Sequence, residues 1–226
     1  MAKLAIVLVV LVMGTACLGE SRYPTVAKGF QLKSIIYQGK PTNYSIYVPP
    51  TYDPAKRTPT IIYMHGAGEC GTDGIKPTKL GIGVAIEKNP AAWPFIVIFP
   101  QILTSKTTWQ AEDALVMKVL DQTRRELNVD RSRIYLTGAS KGGNGTWAIA
   151  ASHPDLFAAI APVCGAAYDQ YIATRCVKLP IRIFHGEHDS AVKVENVRRS
   201  IKWVEEAGGS VKASIYPDLG HNVWDK

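Results

Sequence analysis

The stretch RIYLTGASKGGNGTWAIAASH, residues 133–153, decides the fold. Arg133 to Thr137 reads as a short apolar strand, and Gly138-Ala139-Ser140-Lys141-Gly142 fits the pattern G-x-S-x-G. Gly143 to His153 is a helix-compatible run halted by Pro154. Strand, tight turn and helix form the context in which this pattern has mechanical meaning. The central serine must adopt backbone angles that few side chains tolerate, and small neighbours let strand and helix approach closely. A glycine-rich turn that merely happens to contain a serine is the bland alternative. The flanks argue against it.

A serine in such a turn is a candidate nucleophile, and its partners are sought further along the chain in the order acid, then histidine. Ile181-Arg182-Ile183-Phe184 reads as a strand, and the following segment HGEHDSAV, residues 185–192, puts Asp189 in a loop at its carboxyl end. Val211 to Tyr216 reads as another strand, followed by Asp218-Leu219-Gly220-His221-Asn222. Ser140, Asp189 and His221 are therefore expected beyond strand ends on one edge of a parallel sheet, where such sheets carry their sites. The gaps of 49 (189 − 140) and 32 (221 − 189) residues each have room for a strand–helix–strand passage.

Chemistry assigns the roles. Ser140 attacks a carbonyl carbon only if a base takes its proton, and His221 is that base. Asp189 holds the imidazole in the right tautomer and stabilises its charged form. The developing oxyanion needs fixed donors. One is assigned to the backbone N–H of Lys141, the other to that of Ala67 in His65-Gly66-Ala67-Gly68-Glu69, after the strand Thr60 to Met64.

These residues resemble the α/β-hydrolase superfamily, and more narrowly the compact secreted esterases and predicted peptidases related to feruloyl and acetylxylan esterases. The matching stretches are HGAGECG at 65–71, Pro100-Gln101 with Trp109, the run from Asp130 to Gly165, HGEHDSAV at 185–192 and GHNVW at 220–224. The related dienelactone hydrolases use a cysteine nucleophile, so Ser140 argues against that branch. The resemblance implies a serine carboxylic-ester hydrolase acting through an acyl-enzyme on short acyl or feruloyl esters of polysaccharides. A serine peptidase of the prolyl-oligopeptidase type is the second reading, although 226 residues leave no length for the added domain such relatives use. A non-catalytic carbohydrate- or partner-binding module on the same fold is the third, opposed by the presence of all three triad residue types.

Other polar residues take plainer readings. His65 is expected to brace the oxyanion loop, and His185 and His188 to be structural or solvent-exposed. His153 suits a helix C-terminus, where partial positive charge is favourable. Asp218, on the histidine's own loop, is the rival acid. Glu69 faces either pocket or solvent. Gln101 and Trp109 are assigned to the pocket rim as substrate-binding residues, and the pocket is expected to be open because no insertion is long enough for a lid.

The first 19 residues read as an export signal: Lys3, the ten-residue apolar run Leu4 to Met13, and the small residues Gly14-Thr15-Ala16 before Cys17. Such a run is too short to span a bilayer. The expected protein is secreted or periplasmic, with lipid anchoring through Cys17 and a plain signal-peptidase cut as alternatives. A linker at 20–28 and a hydrolase domain at 29–226 complete the division. Export permits a Cys164–Cys176 disulfide, leaving Cys70 as an odd thiol. No Cys/His spacing suits zinc, so neither metal nor cofactor is expected. The formal net charge of +7 is dispersed, and no motif supports nucleic-acid binding.

The remaining chain reads as an edge hairpin (Phe30 to Tyr37 and Tyr44 to Val48), strands at 60–64, 95–99 and 157–163, and helices at 80–88, 111–128 and 194–207. This alternation specifies a three-layer α/β sandwich with a mostly parallel sheet and an antiparallel N-terminal hairpin. The resemblance implies a closing helix after the histidine. The sequence runs only five residues past His221, so either it is part of a longer chain or the fold manages without that helix.

Overall fold

A computed structural model describes residues 22–225. The expected export signal, with Cys17, lies outside the described residues. Eight strands form one sheet in the order β1-β2-β4-β3-β5-β6-β7-β8. β1 (Gly29–Tyr37) and β2 (Lys40–Val48) form the antiparallel hairpin, and β2 also pairs antiparallel with β4 (Ile96–Phe99). β3 (Thr58–Met64), β5 (Val129–Ala139), β6 (Ala159–Val163), β7 (Ile181–Gly186) and β8 (Val211–Tyr216) run parallel with β4.

The hairpin turn is shorter than the sequence suggested. Only Gln38 and Gly39 separate the strands, with φ of 49° and 75°. Two successive positive φ values match the right-handed twist of the flanking strands. β2 therefore begins at Lys40, and Pro41 sits near its start, outside the stretch Ser45 to Tyr47 that pairs with β4, where a missing N–H is tolerated.

Alternation sorts the residues of β3 between two layers. Ile62 and Met64 join the larger core with the helices α2 (Asp113–Glu126), α3 (Lys141–Ser152), α4 (Gln170–Arg175) and α5 (Val194–Glu206). Ile61 and Tyr63 face the other side, with Ile86 of α1 (Ile82–Lys88), Val97 and Phe99. Four helices thus cover one face and one short helix the other. α2 buries a helical stripe of Leu115, Val116, Val119, Leu120 and Thr123. The six-residue α4 was not expected. Its signal is Asp169, whose carboxylate accepts the N–H of Ile172 at 2.8 Å as an N-cap, but the helix is too short to display a period. The last described element is a 3-10 turn, Val223–Asp225.

β3 has β4 on one side and β5 on the other, although β4 precedes β5 in sequence. The chain therefore crosses back over β3, and the carboxyl ends of β3 and β5 form a switch point, the standard site for a crevice in such sheets.

Candidate active site

Ser140 follows β5 at that switch point. Its φ of 57° and ψ of −116° are left-handed and unusual for a residue with a side chain. The strain is held by its neighbours: the N–H of Ser140 donates to Val163 O at 2.8 Å, and its carbonyl accepts from Asn144 N at 3.0 Å. A Cβ on Gly142 would lie 1.9 Å from Met64 O, so only glycine lets α3 start this close to β3. The sharp turn leaves the hydroxyl partly exposed above the sheet.

Asp189 follows β7 and is 5% exposed. Its Oδ1 accepts the amides of Ala191 (2.9 Å) and Val192 (2.8 Å). His221 follows β8, and its loop closes onto β7 because Gly186 has no side chain: a Cβ there would lie 2.0 Å from Gly220 O. The imidazole bridges the other two residues. Nδ1 lies 2.7 Å from Asp189 Oδ2, and Nε2 lies 2.8 Å from Ser140 Oγ. An ionised carboxylate only accepts, so this geometry has Nδ1–H donating to Asp189 and Nε2 accepting the Ser140 O–H. Asp218, the rival acid, is exposed. The ring of Trp224 packs edge-on against His221 at 5.1 Å.

Lys141 opens α3, and its amide is among the first-turn donors that a helix cannot satisfy itself. The loop after β3 runs beside the nucleophile: a Cβ built on Gly66 would lie 3.6 Å from Ser140 Cβ. Ala67, next along, is exposed. His65 is fully buried beneath this loop. Its Nδ1–H donates to Gly66 O at 2.6 Å, and its Nε2 accepts the amide of Ile102 at 3.1 Å. Burial pushes its pKa down to about 4, so the ring is neutral.

Two expected rim residues are not on a rim. Trp109 is 0% exposed, donates Nε1–H to His65 O at 3.1 Å and stacks edge-on against the His65 ring at 5.0 Å. Gln101 is 2% exposed, accepts the amide of Gly74 at 2.6 Å and donates to Glu69 O at 2.8 Å. Both brace the 65–74 loop from beneath, and their buried polar ends are spent on groups of that loop. A glutamine and a tryptophan near a site carry no sequence mark that separates lining from support.

The disulfide expectation is also corrected. Cys70, Cys164 and Cys176 are all free thiols. Cys164 Sγ donates to His221 O at 2.8 Å, and Cys176 Sγ faces Trp147 O at 3.7 Å. Burial raises both thiols to about 12. Cys164 thus supports the backbone of the histidine loop, a role no spacing could reveal. His188 is exposed, but His185 is fully buried beside Asp189, its Nε2 3.3 Å from Oδ2. One ligand atom from each of Cys164, His185 and Asp189 lies within 4.8 Å of the others. Because the thiol stays protonated and the carboxylate is already hydrogen-bonded, the cluster reads as polar support for the site.

The sheet order, the strained serine turn and the serine–histidine–carboxylate contact define an α/β-hydrolase. Residues 99–224 match the Dienelactone hydrolase family, and the chain belongs to that family. The inference from Ser140 against that branch is therefore overturned; the position that the pattern marks is held here by serine. The chain is 26% identical over 171 residues to the bifunctional acetylxylan esterase/xylanase of Neocallimastix patriciarum, covering 73% of this chain and 24% of that one. A crystal structure of a thermostable esterase superposes with a TM-score of 0.74 at 31% identity, covering 83% of this chain and 54% of that one. A mutant feruloyl esterase module from Clostridium thermocellum, complexed with sinapinate, superposes at 0.71 with 17% identity, covering 91% and 87%. At that identity the likeness concerns the fold. The chain spans about a quarter of the length of the acetylxylan esterase/xylanase and about half of the thermostable esterase.

Proposed function

We propose that this protein is a serine carboxylic-ester hydrolase in which Ser140 is the nucleophile, His221 the base and Asp189 the orienting acid. The observation that carries the reading is the continuous contact from Asp189 Oδ2 through His221 to Ser140 Oγ, at 2.7 and 2.8 Å. As Ser140 Oγ bonds to the ester carbonyl carbon, its proton passes to His221 Nε2. The resulting imidazolium is stabilised by Asp189 across Nδ1–H. The oxyanion lodges against the amides of Lys141 and Ala67. Collapse expels the alcohol, which takes the proton from Nε2, and leaves an acyl-enzyme. Water, deprotonated by the same ring, then releases the acid and restores Ser140.

The relatives' names and the exposure of the site support one substrate class. The acyl groups are short, or compact and aromatic, and the alcohol is a polysaccharide, as the named acetylxylan and feruloyl esterases suggest. Ser140 and His221 are partly exposed, and an open site lacks the buried area to hold a long fatty chain, since each CH₂ contributes about 0.8 kcal/mol only where it leaves water. Residues 1–19 act as an export signal in this reading, and Cys17 is either a processed terminus or a lipid anchor. Intact mass of the protein from its host separates these forms.

The experiment is a comparison of kcat/KM for acetyl, butyryl, feruloyl and palmitoyl esters, with a peptide amide alongside. Acetyl or feruloyl esters should lead. Palmitoyl ahead by tenfold, or turnover of the peptide alone, contradicts the proposal.

A further inference from the structure

We infer that His185 is a positioning residue for the triad acid, a neutral second histidine whose Nε2–H ties the Asp189 loop down at Val192 O and lies beside Asp189 Oδ2. The inference rests on the esterase reading above. His185 is the penultimate residue of β7, and its side chain and that of Asp189 are both 0% exposed. Its Nε2 lies 2.8 Å from Val192 O and 3.3 Å from Asp189 Oδ2. A carbonyl oxygen can only accept, so the proton sits on Nε2. Nδ1 is then a bare acceptor, in keeping with its having no hydrogen-bond partner in the described structure.

The buried carboxylate has three hydrogen-bond donors, with the His185 N–H dipole close by. Oδ1 receives the two loop amides of Ala191 and Val192, and Oδ2 receives His221 Nδ1–H with His185 Nε2–H beside it. Burial lowers the pKa of His185, which keeps the ring neutral. A neutral ring fixes the acid loop through Val192 O without adding a second positive charge to compete with the His221 imidazolium formed during turnover. The other titratable groups nearby do not replace it. Cys164, at the end of β6, is a protonated thiol directed at His221 O, and Glu187 is paired outward with Arg198 at 2.7 Å. The backbone is shared too: Val192 both donates to Asp189 and accepts from His185, so the ring closes a small network around the acid.

Removing the donor should leave Asp189 more basic and less fixed. A more basic carboxylate holds the His221 proton more tightly, so the acid limb of kcat/KM should move upward, by roughly half to one pH unit. His185→Leu should show this shift on nitrophenyl acetate, with kcat lower by about tenfold and KM little changed, by analogy with supporting partners of other histidine sites. His185→Gln, whose amide N–H reaches the same region, should return the limb most of the way to the parent value. A folded His185→Leu protein with an unmoved acid limb would overturn the inference. Nitrogen NMR of the unaltered protein gives an answer even if the leucine variant fails to fold. At pH 7.5 the ring of His185 should be neutral with its proton on Nε2, and a proton on Nδ1 would equally overturn it. Ser140→Ala separates the two layers: full turnover by that variant sinks the esterase reading, whereas the tautomer of His185 is read without turnover.

Discussion

At Asp189 a fully buried carboxylate keeps its place because the chain supplies donors to both oxygens, from its own loop and from His221. Losing the right acceptor there is different from losing a nearby charge. Asp189→Asn should offer an amide where His221 needs a carboxylate, favour the wrong imidazole tautomer and lower kcat by about 10⁴. Asp218→Asn, at an exposed position, should stay within threefold of the parent. Steady-state kinetics on an acetyl ester decide between them, and an exchange of the two effects would show the acid to be misassigned. The sequence carried Ser140, Asp189 and His221 because each follows a strand with a recognisable apolar pattern. His185 and Cys164 were not legible as site residues. Their work depends on which side chains meet across β6, β7 and the histidine loop, and no spacing along the chain encodes that meeting.

Elements register the same distinction. Strands were legible wherever a run of apolar residues was bounded by turn chemistry, and the longer helices α2 and α5 had at least three turns in which a 3.6-residue stripe could repeat. α4, with six residues, had neither, and the start of β2 was obscured by Lys40-Pro41-Thr42-Asn43, which carries ordinary loop composition. The loop at 65–74 was placed correctly after β3, but its supports were mistaken for its lining. Trp109 and Gln101 act on the element rather than on a ligand. Trp109→Phe keeps most of the buried ring and deletes the Nε1–H donated to His65 O, leaving a buried carbonyl one donor short. The expected result is a loss of about 1–3 kcal/mol in urea unfolding, with KM for short esters changed less than twofold. A large rise in KM with unchanged stability would return Trp109 to the pocket wall.

For the whole molecule, the sheet is covered unevenly. On the side of α1, strands β5 to β8 border a cleft of about 740 Å³ lined by Tyr135, Ala161, Phe184, Tyr216 and Trp224 among others. The alternation of strands announced two covered faces, but alternation alone does not say how far the helical layer extends over each. Stability against acid is a property of the whole fold as well. The buried His65 is neutral in the folded state, with a pKa near 4 against an ordinary value of 6.5. The unfolded chain therefore takes up a proton first as pH falls, and this contribution is complete above pH 6.5 and is lost progressively down to about pH 4. The full shift corresponds to roughly 3 kcal/mol. The urea midpoint should fall across that window in the parent and fall less in His65→Gln; equal slopes would contradict the assignment of a neutral buried ring.

The central claim is that Ser140 is an activated nucleophile, and covalent capture tests it most directly. The purified protein is incubated with a fluorophosphonate, and the product is weighed intact and mapped by peptide mass. The account predicts one adduct per chain, on the peptide containing Ser140, formed in step with the loss of acetyl-esterase activity and absent in Ser140→Ala. An adduct on another residue, or undiminished ester hydrolysis by Ser140→Ala, would contradict it.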